Sequence, residues 1–524
     1  MISLRQVRFS YSEEIEILKG IDLTINPGEK FVLAGKSGSG KSTLLKLIAG
    51  LLSPSSGKIT SEANSKLTYG YVKQQPENQV ITGSVEEEVT FGLLCRSVDR
   101  RKIAEEVKRV LSDVGLSGME KRNSTRLSGG ELQRLVFAAS HVLKPDIWIL
   151  DEPTAYLDED GKKRIHELIH ALSDNSSVIY VTSDPEEYEL FDRLLLLHDG
   201  RIITDEHPDV VWNNHTLEKI GLNLPLAKKI KRLETIDLET ASERKKEIPK
   251  EKPEKTIGLE AAGLSASRKQ LFDKPLKVLN KIDLKIKNGE IVALVGKSGA
   301  GKTTLIETLA GVLKPSTGKV LWNGVVPQKL FGKIGVAFQF PERNFFSETI
   351  LDEISYGLKN IGMSINEAEE IALQTMEKFK LNTEYYKGRN PFEISGGQAR
   401  RVALAATWAL RPDALLLDEP TVGLDAENRE IIAGLITEEA ERGCPVLLAG
   451  HDLETFMVLA ERWIVLENGR IVYDGNVGDL WSDDPEKDVI SPPSVVKEFR
   501  RTNRPLEEAQ RLGWGNVMKY LSRR

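Results

Sequence analysis

Apolar and polar residues alternate at the start of the chain. Ile2, Leu4, Val7 and Phe9 precede Tyr11, and Ile21, Leu23 and Ile25 follow after a turn. A period of two predicts β-strands joined in a hairpin. The pattern then changes. FVLAG, Phe31 to Gly35, is a short apolar run entering a glycine-rich turn, and Thr43 to Leu52 carries apolar residues at helical spacing. Strand, loop and helix in that order are the context a phosphate-binding loop requires. Ile103, Val107, Val110 and Leu111 give the segment 101–116 a helical period, and IWIL, Ile147 to Leu150, reads as a buried strand ending in two acids. The same order recurs in the second half. An α/β core is expected, with an antiparallel β part and a helical insertion.

The recurrence extends to words. GKSGSGKSTL begins at Gly35 and GKSGAGKTTL at Gly296; LSGGELQR begins at Leu127 and ISGGQARR at Ile394; ILDEPTAYLD begins at Ile149 and LLDEPTVGLD at Leu416. Ser128 precedes Asp151 by 23 residues, as Ser395 precedes Asp418. The repeat unit is far longer than the roughly 20–50 residues of a solenoid, so this is a duplicated domain. The expected boundaries are 1–235 for the first domain, 236–256 for a linker and 257–524 for the second, each domain ending in a tail. The linker holds ETASERKKEIPKEKPEKT, rich in Lys, Glu and Pro. Such a stretch favours an extended, solvated tether that keeps one half near the other.

Composition narrows the class. The net charge of the 524 residues is −6, which argues against a general nucleic-acid binder. Cys95 and Cys444 are the two cysteines, too few for a disulfide framework or a zinc cluster, and a reducing compartment is expected. MISLRQVRFSYSEE has no apolar core of a secretory signal, and no window is apolar enough to span a membrane.

The chemistry sits in the repeated words. GxxxxGK[ST] occurs twice, through Gly35, Lys36, Ser37, Gly38, Ser39, Gly40, Lys41, Ser42 and the following Thr43, and through Gly296, Lys297, Ser298, Gly299, Ala300, Gly301, Lys302, Thr303 and the following Thr304. Glycines let the backbone curl so that successive N–H groups point at phosphate oxygens, and the following helix adds its positive end. Lys41 and Lys302 are expected to bridge the β- and γ-phosphates of a nucleotide, and Ser42 and Thr303 to offer a hydroxyl to Mg²⁺. Asp151 and Asp418 end their strands and are expected on the metal. Glu152 and Glu419 follow, placed to polarise an attacking water. Ser128, Gly129 and Gly130, and Ser395, Gly396 and Gly397, precede helices as a second anion-binding nest in each half.

One phosphate loop and one further nest per half resemble the nucleotide-binding domains of ATP-binding cassette (ABC) proteins, over nearly the whole chain and twice. The resemblance implies two tandem P-loop NTPase cassettes, each with an antiparallel β subdomain, a RecA-like core and a helical subdomain carrying the signature. It also implies head-to-tail pairing of the cassettes within one chain, one chain per transporter. Site one would then use Lys41 and Glu152 with Ser395, Gly396 and Gly397. Site two would use Lys302 and Glu419 with Ser128, Gly129 and Gly130. By the same resemblance Gln74 and Gln339 are Q-loop residues that sense Mg²⁺, water and a transmembrane partner, and the loops ending at Asp158 and Asp425 are D-loops.

The halves differ where the family has a switch histidine. VLLAGHD supplies His451 in the second half, whereas VIYVTSD supplies Ser183 in the first. A serine is shorter and carries no positive charge. The family's aromatic residue against adenine is matched by Tyr11. Pairing ISLRQVRFSY with IGLEAAGLSA puts Ala266 at its counterpart, with Phe272 as a substitute from the longer second hairpin. Site two is therefore expected to turn over more ATP than site one. QQPENQVITGSVEEEVTFGL from Gln74 and QFPERNFFSETILDEISYGL from Gln339 are similar to the ATPases of energy-coupling-factor (ECF) importers of vitamins, vitamin precursors or metals. That resemblance implies a transmembrane coupling subunit, a membrane substrate-binding subunit and a peripheral place on the cytoplasmic face of the membrane. A tandem sugar-importer ATPase and a soluble tandem ABC protein acting on ribosomes are the alternatives.

Overall fold

The computed structural model describes residues 1–222 and 256–518, apart from 13–14, 37, 62–66, 74–75, 97, 125–126, 128, 156, 158, 173–174, 215, 221, 269–275, 298, 331, 340, 502–505, 513–514 and 516. Ser37, Gln74, Ser128, Asp158, Phe272, Ser298 and the linker up to residue 255 therefore lie outside the described residues. The chain divides into two compact units, Met1–Pro225 and Leu226–Arg524.

In the first unit the alternating opening forms β1 (Ile2–Ser12), which pairs antiparallel with β2 (Ile15–Ile25) and with β4 (Ser56–Ser61). The apolar runs form a second sheet, ordered β5 (Tyr69–Val72), β6 (Ile147–Asp151), β7 (Ser177–Val181), β3 (Lys30–Ala34), β8 (Leu194–His198) and β9 (Arg201–Glu206). Its first five strands are parallel and β9 closes it antiparallel. Parallel strands are covered on both faces, which is why these runs are continuously apolar. Phe31 and Leu33 face one core, shared with the β1–β2 hairpin and with Leu44, Leu45 and Ile48 of the helix Lys41–Ile48. Val32 and Ala34 face the other core, with Val107 and Leu111 of the helix Arg100–Asp113 and Phe137 of the helix Gly129–His141.

The second unit repeats this plan. β10 (Ile257–Arg268) pairs with β11 (Leu276–Lys287) and β13 (Thr317–Trp322). The main sheet runs β14 (Ile334–Ala337), β15 (Ala414–Asp418), β16 (Val446–Ala449), β12 (Ile291–Val295), β17 (Arg462–Glu467) and β18 (Arg470–Asn476). The expected α/β architecture with an antiparallel β part and a helical insertion is present in both units. The insertion of the second unit comprises the helices Ile350–Asn360, Ile365–Lys378 and Gly396–Ala409, and a helix at Ser494–Arg501 follows Pro493 in the tail. Both main sheets place the ends of β3 and β6, or β12 and β15, beside the glycine-rich turns. Ligands in open α/β sheets lie at that carboxyl edge.

Candidate functional site

Each phosphate loop joins its central strand to a helix that begins at the predicted lysine. Gly40 and Gly301 precede the helices Lys41–Ile48 and Lys302–Leu309 with φ of 103° and 106°, in the left-handed region that suits glycine. Neither cap carries a side chain to satisfy the first-turn N–H groups, which leaves them to an anion. Gly35 and Gly296 are required for another reason. A Cβ at either would stand 2.2 Å from a backbone oxygen, that of Leu197 or Leu466. Lys41 Nζ donates to the carbonyls of Gly35 at 2.7 Å and Lys36 at 3.0 Å, and Lys302 Nζ does the same at Gly296 and Lys297. Ser39 is buried and Ala300 takes its place in the second loop; Gly38 and Gly299 have open space beside them.

The predicted metal ligands meet across the turn. Thr303 Oγ1 donates to Asp418 Oδ2 at 2.6 Å, and Ser42 Oγ to Asp151 Oδ2 at 3.3 Å. A hydroxyl and a carboxylate beside a phosphate loop are hard oxygen donors of the kind Mg²⁺ takes, so the residues fit that ion. Among the described residues there is no other cluster of three or more His, Cys, Asp or Glu that suggests a different metal. Burial, reinforced by the neighbouring Glu419, pushes the Asp418 carboxyl up to about 6, and burial raises Asp151 as well. A raised acid favours the neutral form in the folded chain. Its stabilising contribution is full below its unfolded value near 4 and lost as pH rises through about 6. In metal- and nucleotide-free protein, lowering the pH from 7 to 5 should therefore favour wild type over Asp418→Asn by on the order of 1–2 kcal/mol. Thermal melts of both proteins check this; a pH-independent difference contradicts it.

Glu152 and Glu419 adopt φ of 50° and 55°. A left-handed glutamate costs on the order of 1–3 kcal/mol and persists where surroundings impose it. Both copies hold the strain at the same place, directly after Asp151 and Asp418. In the second unit the carboxylate is fixed: His451 Nδ1 lies 2.8 Å from Glu419 Oε1, and the His451 backbone N–H donates to Oε2 at 3.3 Å. Gly450 makes room, since a Cβ there would stand 2.6 Å from Oε2. Thr421 Oγ1 donates to Asp452 Oδ2 at 2.7 Å; burial opposes the Asp452 charge, but Arg429 and these hydroxyl and backbone donors hold its carboxyl below the usual range.

The first unit is built differently behind Glu152. Thr182 occupies the place of Gly450, and Ser183 that of His451. Thr182 Oγ1 donates to buried Glu187 at 2.5 Å, as does Thr154 Oγ1 at 2.7 Å, and His166 Nε2 lies 3.0 Å from the same carboxylate. This histidine was invisible to a reading by sequence position, because it lies on the helix Glu159–His170, ahead of the strand Ser177–Val181 that leads to Ser183.

The signature segments lead into helices. Ser395 caps the helix Gly396–Ala409 in a box with Gln398, whose side chain returns to the Ser395 N–H at 3.0 Å. Gly129 and Gly130 open the corresponding helix, with open space beside Gly129. Asp425 caps the helix Ala426–Glu441 through Asn428. Gln339 follows β14, and its carbonyl accepts from Arg400 Nη1 at 2.9 Å; a second contact joins Arg400 to the carbonyl of Glu419 at 3.3 Å. Buried Arg400 thus ties the segment of Gln339 to the turn of Glu419, a contact its position inside the repeated ISGGQARR word did not announce. Gln133 stands at that place in the first unit.

Tyr11 is exposed, and its hydroxyl lies 3.3 Å from Thr43 Oγ1. Ala266 is not its counterpart. Phe9 pairs with Leu18, which lies against Gly40, and Ala266 pairs with Leu279, which lies against Gly301. Ala266 is buried and therefore matches Phe9. Two residues on, Arg268 matches Tyr11, and its Nε donates to Thr304 Oγ1 at 3.0 Å. The word-by-word pairing slipped by two at its first residue: it set Ile2 on Ile257, whereas Ile2 pairs with Ile25 and Leu4 with Leu23 as Leu259 pairs with Ile286 and Ala261 with Leu284, so β10 begins two residues earlier than β1.

The apolar residues after each Q-loop are accounted for in the same way. Glu353 Oε2 accepts from the N–H groups of Phe346 and Ser347, and Glu88 Oε2 from those of Ile81 and Thr82. The acidic helix of the motif thereby fixes the loop before it. In the second unit this loop borders a groove of 540 Å³ lined by Val312, Phe345, Phe346, Tyr356 and Ile361. Phe346 and Tyr356 pack edge to face at 4.3 Å and remain half exposed.

Comparison with known proteins agrees with the repeat. A family model described as ABC transporter matches residues 18–155 and 279–422. An ABC transporter ATP-binding protein of Methanosarcina acetivorans is 31% identical over 93% of this chain and 87% of its own length. Another from Clostridium perfringens is 31% identical over 91% and 90%. A solved structure of cbiO1 from Clostridium perfringens, part of the ABC transporter complex cbiONQ, is 28% identical with a TM-score of 0.37, covering 43% of this chain and 89% of that one.

Proposed function

The chain belongs to the ABC transporter family, as an ATP-binding ATPase with two cassettes, and on that premise we propose that it powers an importer of the ECF kind. Its cargo would be a vitamin, a vitamin precursor or a transition metal. ATP-binding proteins of transporters work with transmembrane subunits, and none of the described helices is long and apolar enough to cross a membrane. A coupling subunit and a substrate-binding subunit in the membrane would therefore supply the path, with this chain peripheral on the cytoplasmic face.

The observation that supports this reading best is the groove beside Gln339. It is apolar, half-exposed aromatics form its rim, and the loop that shapes it belongs to the motif resembling ECF ATPases. An exposed apolar surface rimmed by polar groups marks an interaction site. In the first cassette Leu51, Ile81 and Phe91 are exposed at the places of Val312, Phe346 and Tyr356. A coupling helix of the membrane partner would lie in each groove. Arg400 then links groove to chemistry, because one guanidinium holds the carbonyls of Gln339 and Glu419 together.

In the mechanism we infer, two ATP molecules close the cassettes head to tail. Lys302 and the Gly296–Thr304 loop would hold one triphosphate opposite Ser128, Gly129 and Gly130. Lys41 and the Gly35–Thr43 loop would hold the other opposite Ser395, Gly396 and Gly397. Thr303 with Asp418 and Gln339, and Ser42 with Asp151 and Gln74, would hold Mg²⁺, which when bound neutralises charge on the β- and γ-oxygens. Glu419, held by His451, takes a proton from the attacking water as its oxygen bonds to the γ-phosphorus. The bond to the β-phosphate oxygen breaks, leaving ADP and phosphate. Loss of the γ-phosphate contacts lets the cassettes part, a ligand-driven shift between two states. Site one, with Ser183, turns over more slowly.

Membrane sedimentation from the native host tests the transport role. The wild-type chain should co-sediment with membranes, and the paired change Phe346→Asp, Tyr356→Asp should release it by at least about tenfold, the effect of removing central anchors. A chain that is wholly soluble and sediments with ribosomes overturns this reading in favour of the ribosomal alternative. Association with a sugar-specific membrane subunit would keep the transport role and replace the ECF assignment.

A further inference from the structure

We propose that in the second cassette the base of the nucleotide rests on the guanidinium plane of Arg268, where the first cassette offers the ring of Tyr11. The proposal rests on the reading that the Gly296–Thr304 loop holds the triphosphate. Three observations lead to it. First, the strand register and the contact with the first-turn threonine put the two side chains at one place, Tyr11 on Thr43 and Arg268 on Thr304.

Second, the plane of Arg268 is fixed from its edge. Nε donates to Thr304 Oγ1 at 3.0 Å and Nη2 to Glu307 Oε2 at 2.6 Å. Both contacts lie at donor hydrogens, in the plane of the group, so they set its orientation without covering its faces. The side chain remains 47% exposed. Third, the acid changes with the base-side residue. Glu307 stands one turn along the helix Lys302–Leu309, and the same position in the first cassette is Lys46. Tyr11 needs no anion to hold it, and a lysine there does no harm. An arginine needs one, and has it.

A planar, delocalised cation stacks on the flat face of a base much as an aromatic ring does. A lysine cannot, since its ammonium is a compact point charge on a flexible stem. Cassette two would therefore hold any purine nucleotide by stacking on a cation, whereas cassette one stacks it on a ring.

The test uses the full chain carrying Lys41→Ala, so that the first phosphate loop is silent, and titrates a fluorescent adenine nucleotide. Arg268→Ala should weaken its binding about tenfold, within the range found for losing one stacked base. Arg268→Tyr should return affinity to within about twofold of the arginine form, and Arg268→Lys should stay as weak as alanine, because only the tyrosine offers a plane. Inorganic tripolyphosphate, which has no base, should compete equally against Arg268 and Arg268→Ala. Unchanged nucleotide affinity in Arg268→Ala overturns the proposal. So does full rescue by lysine, or an equal loss of tripolyphosphate binding, since either would mean that the charge acts on phosphate. Lys302→Ala added to the same chain should abolish binding; if it does not, the phosphate-loop assignment falls and the proposal with it.

Discussion

Replacing Glu419 by glutamine should cut ATP turnover about 10²–10⁴-fold, the range for losing a general base, while Glu152→Gln should cost no more than about tenfold. Glutamine keeps the shape of the side chain and cannot take the proton. The unequal expectation comes from what surrounds each carboxylate. Glu419 is buried, its oxygens are held by the His451 ring and backbone, and Gly450 clears the space it occupies. Behind Glu152 the corresponding residues are Thr182 and Ser183, and the Thr182 hydroxyl is committed to Glu187. Both glutamates share the left-handed backbone, so the turn alone does not make a site hydrolytic. Phosphate release by the purified chain measures this, and equal losses in the two variants would remove the asymmetric model.

His451→Ala should lower turnover about 10²-fold, comparable with removing one preorganised donor from an active site. Ser183→Ala should change it by less than about twofold, because a short neutral side chain supplies little of that organisation. His451 acts through the carboxylate it holds 2.8 Å away, and residues that act as a unit are not additive. The double variant Glu419→Gln, His451→Ala should therefore be no more than about threefold slower than Glu419→Gln alone. Multiplied losses in the double variant would show that His451 works independently of Glu419. Melting curves separate either outcome from unfolding.

Much of the site was legible because it is local in sequence. A phosphate loop spans nine residues between a strand and a helix, and Lys41, Ser42, Lys302 and Thr303 are placed by that short geometry alone. Asp151 and Asp418 were legible too, since four apolar residues of a buried parallel strand lead directly to each. Ser183 against His451 followed from counting residues across one helix and one strand, 31 from Glu152 and 32 from Glu419, a difference of one that the matching strand ends absorb. The count failed where β1 and β10 begin, because β10 starts two residues earlier in the shared register: it put Ala266 at the place of Tyr11, and pairing shows Ala266 in the core with Arg268 outside.

The sequence by itself determined that this chain is two copies of one ATP-binding cassette, and it singled out the loops, acids and nests proposed to carry the chemistry, because each of those depends on residues close along the chain. Tertiary structure alone decided the rest. Arg400 reaches from its helix to the carbonyls of Gln339 and Glu419, Glu353 and Glu88 fasten loops ahead of their own helices, and Thr154, Thr182 and His166 converge on Glu187. These are contacts between packed elements. Which side chain arrives at a shared point depends on strand register and helix rotation, and neither is carried by any one stretch of sequence.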